Sequence, residues 1–185
     1  MKHPLMSAPF RDNKSVFWFF FISTLAVMFF MNLVGKPLFT PAAPYGIISY
    51  ELAGTVEHAQ EVLDSWDQEA RLYAAFSLGF DYLFMVLYSI TIALACLWGS
   101  RILHARRMPG ASMGILLAWG SWLAAILDGI ENIALSLILL NTPADPWPQV
   151  AQVSATIKFL LIFLGFIFAF FALITRFWKR EAVDR

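Results

Sequence analysis

The sequence predicts an all-α protein, a four-helix transmembrane bundle with both termini cytoplasmic and a long outward-facing loop. Three observations predict it. Of the 185 residues, 59% are apolar and only 14% charged, against roughly 25% charged in an average soluble domain. Four apolar runs are each long enough to cross a hydrocarbon core of about 30 Å at about 1.5 Å per residue. Ten of the thirteen Lys and Arg residues fall in the head, the second connection and the tail, which puts those segments on the cytoplasmic side.

Residues 1–15 form a polar head with Lys2, Arg11 and Lys14, and residues 16–34 form the first span. The span is too apolar over too great a length for a signal-peptide core, and Gly35-Lys36-Pro37 follows instead of a small-residue cleavage site, so the helix stays in the chain. The outward loop is 35–71, and it holds six acids against Lys36 and Arg71. Pro37, Pro41 and Pro44 keep its first part extended or turned. Tyr45 to Gly54 is apolar with one acid, Glu51, and too short to span. From Thr55, a natural N-cap, Val56, Ala59, Val62, Leu63 and Trp66 recur at helical spacing opposite Glu57, Glu61 and Asp64. That amphipathic helix lies either on the membrane surface or on the bundle.

The remaining spans are 72–99, 111–140 and 149–177, joined by short connections that imply antiparallel neighbours. The whole chain, 1–185, is one transmembrane domain, and in a bacterium its home is the inner (plasma) membrane. Cys96, the single cysteine, excludes an internal disulfide and reads as a packing residue. Glycine-rich phosphate loops, hydrolase triads and metal-ligand spacings are absent from the sequence, so neither cofactor nor metal is expected, and nothing supports nucleic-acid binding.

The spans carry charges that lipid does not tolerate cheaply. Asp81 interrupts the second, Asp128-Gly129-Ile130-Glu131-Asn132 the third and Lys158 the fourth. Counted from the outer ends of their helices, all lie roughly 12–18 Å deep at the α-helical rise. Ser121, Ala125, Asp128, Asn132 and Ser136 fall on one stripe, and Ser77, Asp81, Tyr88 and Thr91 on another. Lys158, Gly165, Ala169 and Ala172 give the fourth helix a narrow face. These faces bring the polar groups into one cluster, with up to three acids against one base. One acid pairs with Lys158, and another stays neutral or takes a cation. Asp128 and Glu131 are the candidate acid–base pair, Lys158 their counter-ion, and Asp81 and Asn132 positioning groups. Glu51 either dips into this cluster from the loop or remains a solvated acid.

The strings Tyr50 to Thr55, Phe76 to Phe84 and Asp128 to Asn132 resemble those of small bacterial membrane proteins without an assigned activity. More distantly, the layout is similar to the sigma-2 receptor and emopamil-binding superfamily. That resemblance implies binding of sterol-like or amine lipophiles and, in some members, double-bond isomerisation by proton transfer. It is a likeness of layout, and Lys158 has no counterpart in it.

Three functions fit the residues. The first is binding or acid–base processing of a membrane lipid or other small lipophile, entering from the outer leaflet. The second is proton- or cation-coupled transport by a homo-oligomer, although the chain lacks the internal repeat common in transporters and matching acids in the cytoplasmic halves of its spans. The third is a non-catalytic accessory or assembly role in which the polar network fixes helix register.

Overall fold

The computed structural model describes residues 3–7 and 14–177. Six α-helices follow in order: α1 (Lys14–Val34), α2 (Ile47–Glu51), α3 (Val56–Ser65), α4 (Gln68–Ala105), α5 (Ala111–Leu140) and α6 (Trp147–Phe177). Single 3-10 turns at Pro4–Met6 and Lys36–Leu38 complete the architecture. Helices α1, α4, α5 and α6 are long and apolar enough to cross a membrane.

The four long helices do not contribute equally. Helices α4, α5 and α6 pack on one another and form the core, whereas α1 packs chiefly on α4. No α1 residue is buried. Between α1 and α4 the hydroxyls of Thr24 and Thr91 hydrogen-bond at 3.0 Å. Close approach in the core depends on small residues, as expected where lipid supplies no hydrophobic drive between helices. At Gly114 of α5 a Cβ would lie 2.5 Å from the Cys96 carbonyl oxygen, so only glycine permits this spacing to α4. Cys96 is itself buried, with its Sγ 3.6 Å from the Gly165 carbonyl oxygen.

Helix α4 begins four residues before the expected span, because Asp67 caps it by accepting from the Ala70 amide at 2.8 Å. It also runs on to Ala105, six residues past the expected end. The chain then turns through Arg107 in the left-handed region at φ 55°. The connection between α4 and α5 is therefore a tight turn at 106–110 rather than a loop from Ser100.

The 35–67 segment folds onto one end of the core. Thr55 caps α3 as the sequence predicts, accepting from the His58 amide at 3.2 Å. The apolar face of α3, Ala59, Val62 and Leu63, is buried in one cluster with Leu78 of α4, Leu135 of α5 and Ala151 of α6. Trp66 closes this cluster, its indole N–H donating to the Leu38 carbonyl at 2.9 Å. The Arg71 guanidinium donates to the Leu63 carbonyl at 2.7 Å, beside the Trp66 amide that donates to the same oxygen at 3.2 Å, and so ties the end of α3 to α4.

The short helix α2 is pinned on both sides. The Tyr50 hydroxyl donates to the Leu135 carbonyl at 3.1 Å, and its ring meets Trp66 edge-on. The Gln152 amide of α6 donates to the Leu52 carbonyl at 3.1 Å. Gly54 sits under that amide at φ 72°, where an added Cβ would come 2.4 Å from the Gln152 side chain.

Gly54→Ala combines positive φ with that collision, a strain on the order of 1–3 kcal/mol, and should lower the melting temperature in detergent. Gly79→Ala, where the new Cβ meets nothing within 4 Å, removes a helix-interior glycine and should leave it unchanged or raise it. Equal melting of the two variants would show that the Gly54–Gln152 contact does not secure the loop.

Candidate functional site

The site grows from a single cation. Lys158 projects from α6 between α5 and α2, 95% shielded. Its Nζ donates to Asp128 Oδ1 at 2.6 Å and to Glu131 Oε1 at 2.8 Å. Glu131 Oε2 is equally close at 2.8 Å but off the hydrogen-bonding axis. Glu51 Oε2 of α2 is 3.8 Å away and completes the ring of carboxyls about the ammonium.

Each position follows from helix geometry. Asp128 and Glu131 are three residues apart and therefore neighbours on one face of α5. Asn132, one turn on from Asp128, carries the network to α4, donating from Nδ2 to Asp81 Oδ2 at 2.7 Å. Tyr88, two turns along α4 from Asp81, donates its hydroxyl to Asp128 Oδ2 at 2.9 Å. Asp128 thus accepts from a cation on one oxygen and a phenol on the other, which fixes its carboxylate plane. The sequence-derived cluster of Asp81, Asp128, Glu131, Asn132 and Lys158 is assembled in the structure, with Glu51 joined to it.

Tyr88 is the member that sequence reading did not assign to the site. Its place on the Ser77–Asp81–Thr91 stripe was the available signal. His3 is a second residue whose environment the sequence did not show. It is buried edge-on against Trp119 and Trp122 of α5, with ring centroids 4.8 and 4.5 Å away.

A cavity of about 270 Å³ opens beside the cluster. Glu51, Asp81, Asp128 and Lys158 form its polar wall, together with Ser77. Met28 and Met31 of α1, Phe84 of α4 and Phe159 and Ile162 of α6 make most of the rest apolar, and Asn32 of α1 adds one further polar side chain. Glu131 is fully enclosed and is not in the wall. Two buried oxygens in the wall, Ser77 Oγ and Glu51 Oε2, have no hydrogen-bond partner. A mostly apolar hollow with a few convergent polar groups is the usual form of a small-molecule site. Among the described residues no group of three His, Cys, Asp or Glu side chains is placed to hold a metal ion.

Charge balance governs what this wall can do. Three carboxyls surround one ammonium, so full ionisation leaves an excess of buried negative charge. At Glu51, in the loop, burial pushes the carboxyl above its ordinary value of 4.5; the Lys158 charge opposes this and the Asp128 charge adds to it. A carboxyl that holds its proton beside carboxylates that do not is equipped to exchange protons with a bound molecule.

Two predictions follow from the geometry. Lys158→Leu strands buried carboxyls and should destabilise the protein by roughly 3–5 kcal/mol; adding Asp128→Asn and Glu131→Gln should recover much of the loss in a detergent melt. No recovery would mean that the apolar stem of Lys158, not its charge, matters. For pH, folded Glu51 holds a proton that the unfolded chain has lost once pH exceeds 4.5. Stability from this group therefore falls as pH rises from there through the raised folded value. Glu51→Gln should flatten that fall, and an unchanged slope would assign it to other groups.

No protein-family model, curated protein or solved structure matches this chain.

Proposed function

We propose that this protein is an integral membrane protein that binds a small lipophilic molecule in the cavity beside Lys158 and exchanges protons with it. The observation that carries the reading is the composition of the wall: apolar side chains from α1, α4 and α6 on most sides, with Asp81, Asp128, Glu51 and Lys158 on one. By the distribution of Lys and Arg, the end bearing α2 and α3 faces outward and both termini face the cytoplasm. The cavity then lies in the outer half of the bilayer, and in a bacterium that bilayer is the inner membrane. Because α1 packs chiefly on α4, a lipophile in the outer leaflet reaches the wall between α1 and α6.

Asp128 is the proton-handling group that meets the ligand directly. Glu131, closed off behind Lys158, acts through the ammonium as a positioning residue that sets the charge Asp128 feels. Asp81 and Glu51 offer further acceptors, and a protonated carboxyl among them can return a proton that Asp128 has taken. Asn132 holds Asp81 in the wall.

The satisfied hydrogen bonds of Lys158 also suit a purely structural cluster, and one experiment separates the two. Lipophiles co-purifying with the wild type should be depleted from Asp128→Asn/Glu131→Gln protein of equal yield and melting temperature, as read by mass spectrometry of solvent extracts. A solvent deuteron should enter a carbon position of the bound molecule only when Asp128 is intact. Identical extracts from the two proteins would remove the binding reading and leave the structural one.

A further inference from the structure

Four carboxyls belong to the network around the single ammonium, and its hydrogen bonds are divided unequally among them. Asp128 accepts on both oxygens, from Lys158 at 2.6 Å and from Tyr88 at 2.9 Å. Asp81 accepts from Asn132 at 2.7 Å. Glu131 is served on Oε1 alone, and its Oε2 is a buried oxygen without a hydrogen-bond partner. Glu51 Oε2 is in the same condition, 3.8 Å from Nζ. These two glutamates are neighbours, their carboxyls within hydrogen-bonding reach of each other. The loop brings them together. Glu51 is the last residue of α2, and Tyr50 beside it donates to the carbonyl of Leu135, one turn beyond Glu131 on α5.

We infer that Glu51 and Glu131 hold one proton between them, and that this shared proton makes Glu51 the proton donor of the cavity. Two carboxylates in contact repel, and in a low-dielectric interior one member of such a pair keeps its proton. Ionised, neither side chain brings a hydrogen to the contact. A proton on one of them turns the repulsion into a charge-assisted O–H···O bond, and that proton belongs to the pair rather than to either member. The charges facing Glu51 are Lys158 of α6, which favours its ionisation, and Asp128 of α5, which opposes it. Asp81 of α4 is close enough to act in the same sense as Asp128. Helix α3 also packs on α2 but keeps Glu57, His58, Glu61 and Asp64 exposed. Of the pair, Glu51 lines the cavity and Glu131 does not, so the proton reaches the cavity through Glu51. The donor role rests on the lipophile-binding reading. In it the proton passes from the Glu51 oxygen to the bound molecule and leaves two carboxylates beside the Lys158 ammonium.

Infrared spectroscopy reads the proton directly, in full-length protein whose co-purified lipophiles have been exchanged for detergent. At neutral pH the wild type should show the carbonyl stretch of a protonated carboxylic acid that moves in D2O. Carboxyl-¹³C glutamate should shift that band and ¹³C aspartate should not, a comparison that needs no variant. Glu51→Gln and Glu131→Gln should each remove the whole band, because the new amide donates to the remaining carboxylate. If Glu131→Gln folds poorly, Glu51→Gln decides alone. No band, a band that follows the aspartate label, or a band that survives Glu51→Gln would overturn the shared proton. The donor role has its own readout in protein that has not been exchanged. Glu51→Gln should slow entry of solvent deuterium into the co-purified lipophiles by about a hundred-fold per molecule bound, and an unchanged rate would overturn that role. Absence of any lipophile from the wild type would instead remove the binding reading, while the shared proton would still be read in the emptied protein.

Discussion

A lysine ammonium in a membrane interior costs several kcal/mol to desolvate, and only close, well-directed carboxylates offset that cost. Lys158 meets this condition through Asp128 and Glu131 at 2.6 and 2.8 Å, and the demand fixes much else. It sets the rotation of α6 about its axis and the level at which α6 passes α5. Asn132 and Tyr88 then transmit the same register to α4. Three apolar helices could slide past one another with little penalty in lipid, where apolar packing is nearly indifferent to register. With the cluster present, a shift of one turn would leave charges without partners.

The loop segment shares in this constraint. Helix α2 is too short to be stable alone, yet it delivers Glu51 to the ammonium because Tyr50, Gln152 and the glycine turn at Gly54 hold it down. The same segment roofs the cavity with Tyr45, Ile47 and Ile48. Structure and binding are therefore not alternatives for these residues. Glu51 Oε2, which lies 3.8 Å from the ammonium, makes no hydrogen bond, and its residue lines the hollow.

Much of this was legible in the sequence, for identifiable reasons. Span number and the capped α3 helix follow from hydropathy and from Thr55. The meeting of Asp81, Asp128, Asn132 and Lys158 follows from helical rise and phase, which are rigid quantities. The position of Glu51 was left open because it depends on contacts across about a hundred residues, such as Gln152 with Leu52, which no local pattern encodes. The peripheral place of α1 was hidden for a different reason. A helix apolar on all sides gives no phase, and in lipid the faces toward protein and toward solvent look alike. The burial of His3 was not legible because its partners, Trp119 and Trp122, are themselves ordinary members of an apolar run.

The order of the polar residues along the chain has a consequence for biosynthesis. Asp81, Asp128 and Glu131 emerge from the ribosome before Lys158, and the only cation of the cluster sits on the last spanning helix. Until α6 enters the membrane, α4 and α5 expose acids that have no base to meet, and a carboxyl in that state crosses the bilayer most readily as the neutral acid. Arrival of α6 then converts proton-bearing groups into partners of an ammonium, so that insertion of the final helix and charge matching are one event. A chain halted before α6 displays an unmatched polar stripe to the lipid, a feature by which quality-control proteases can distinguish unfinished molecules from finished ones.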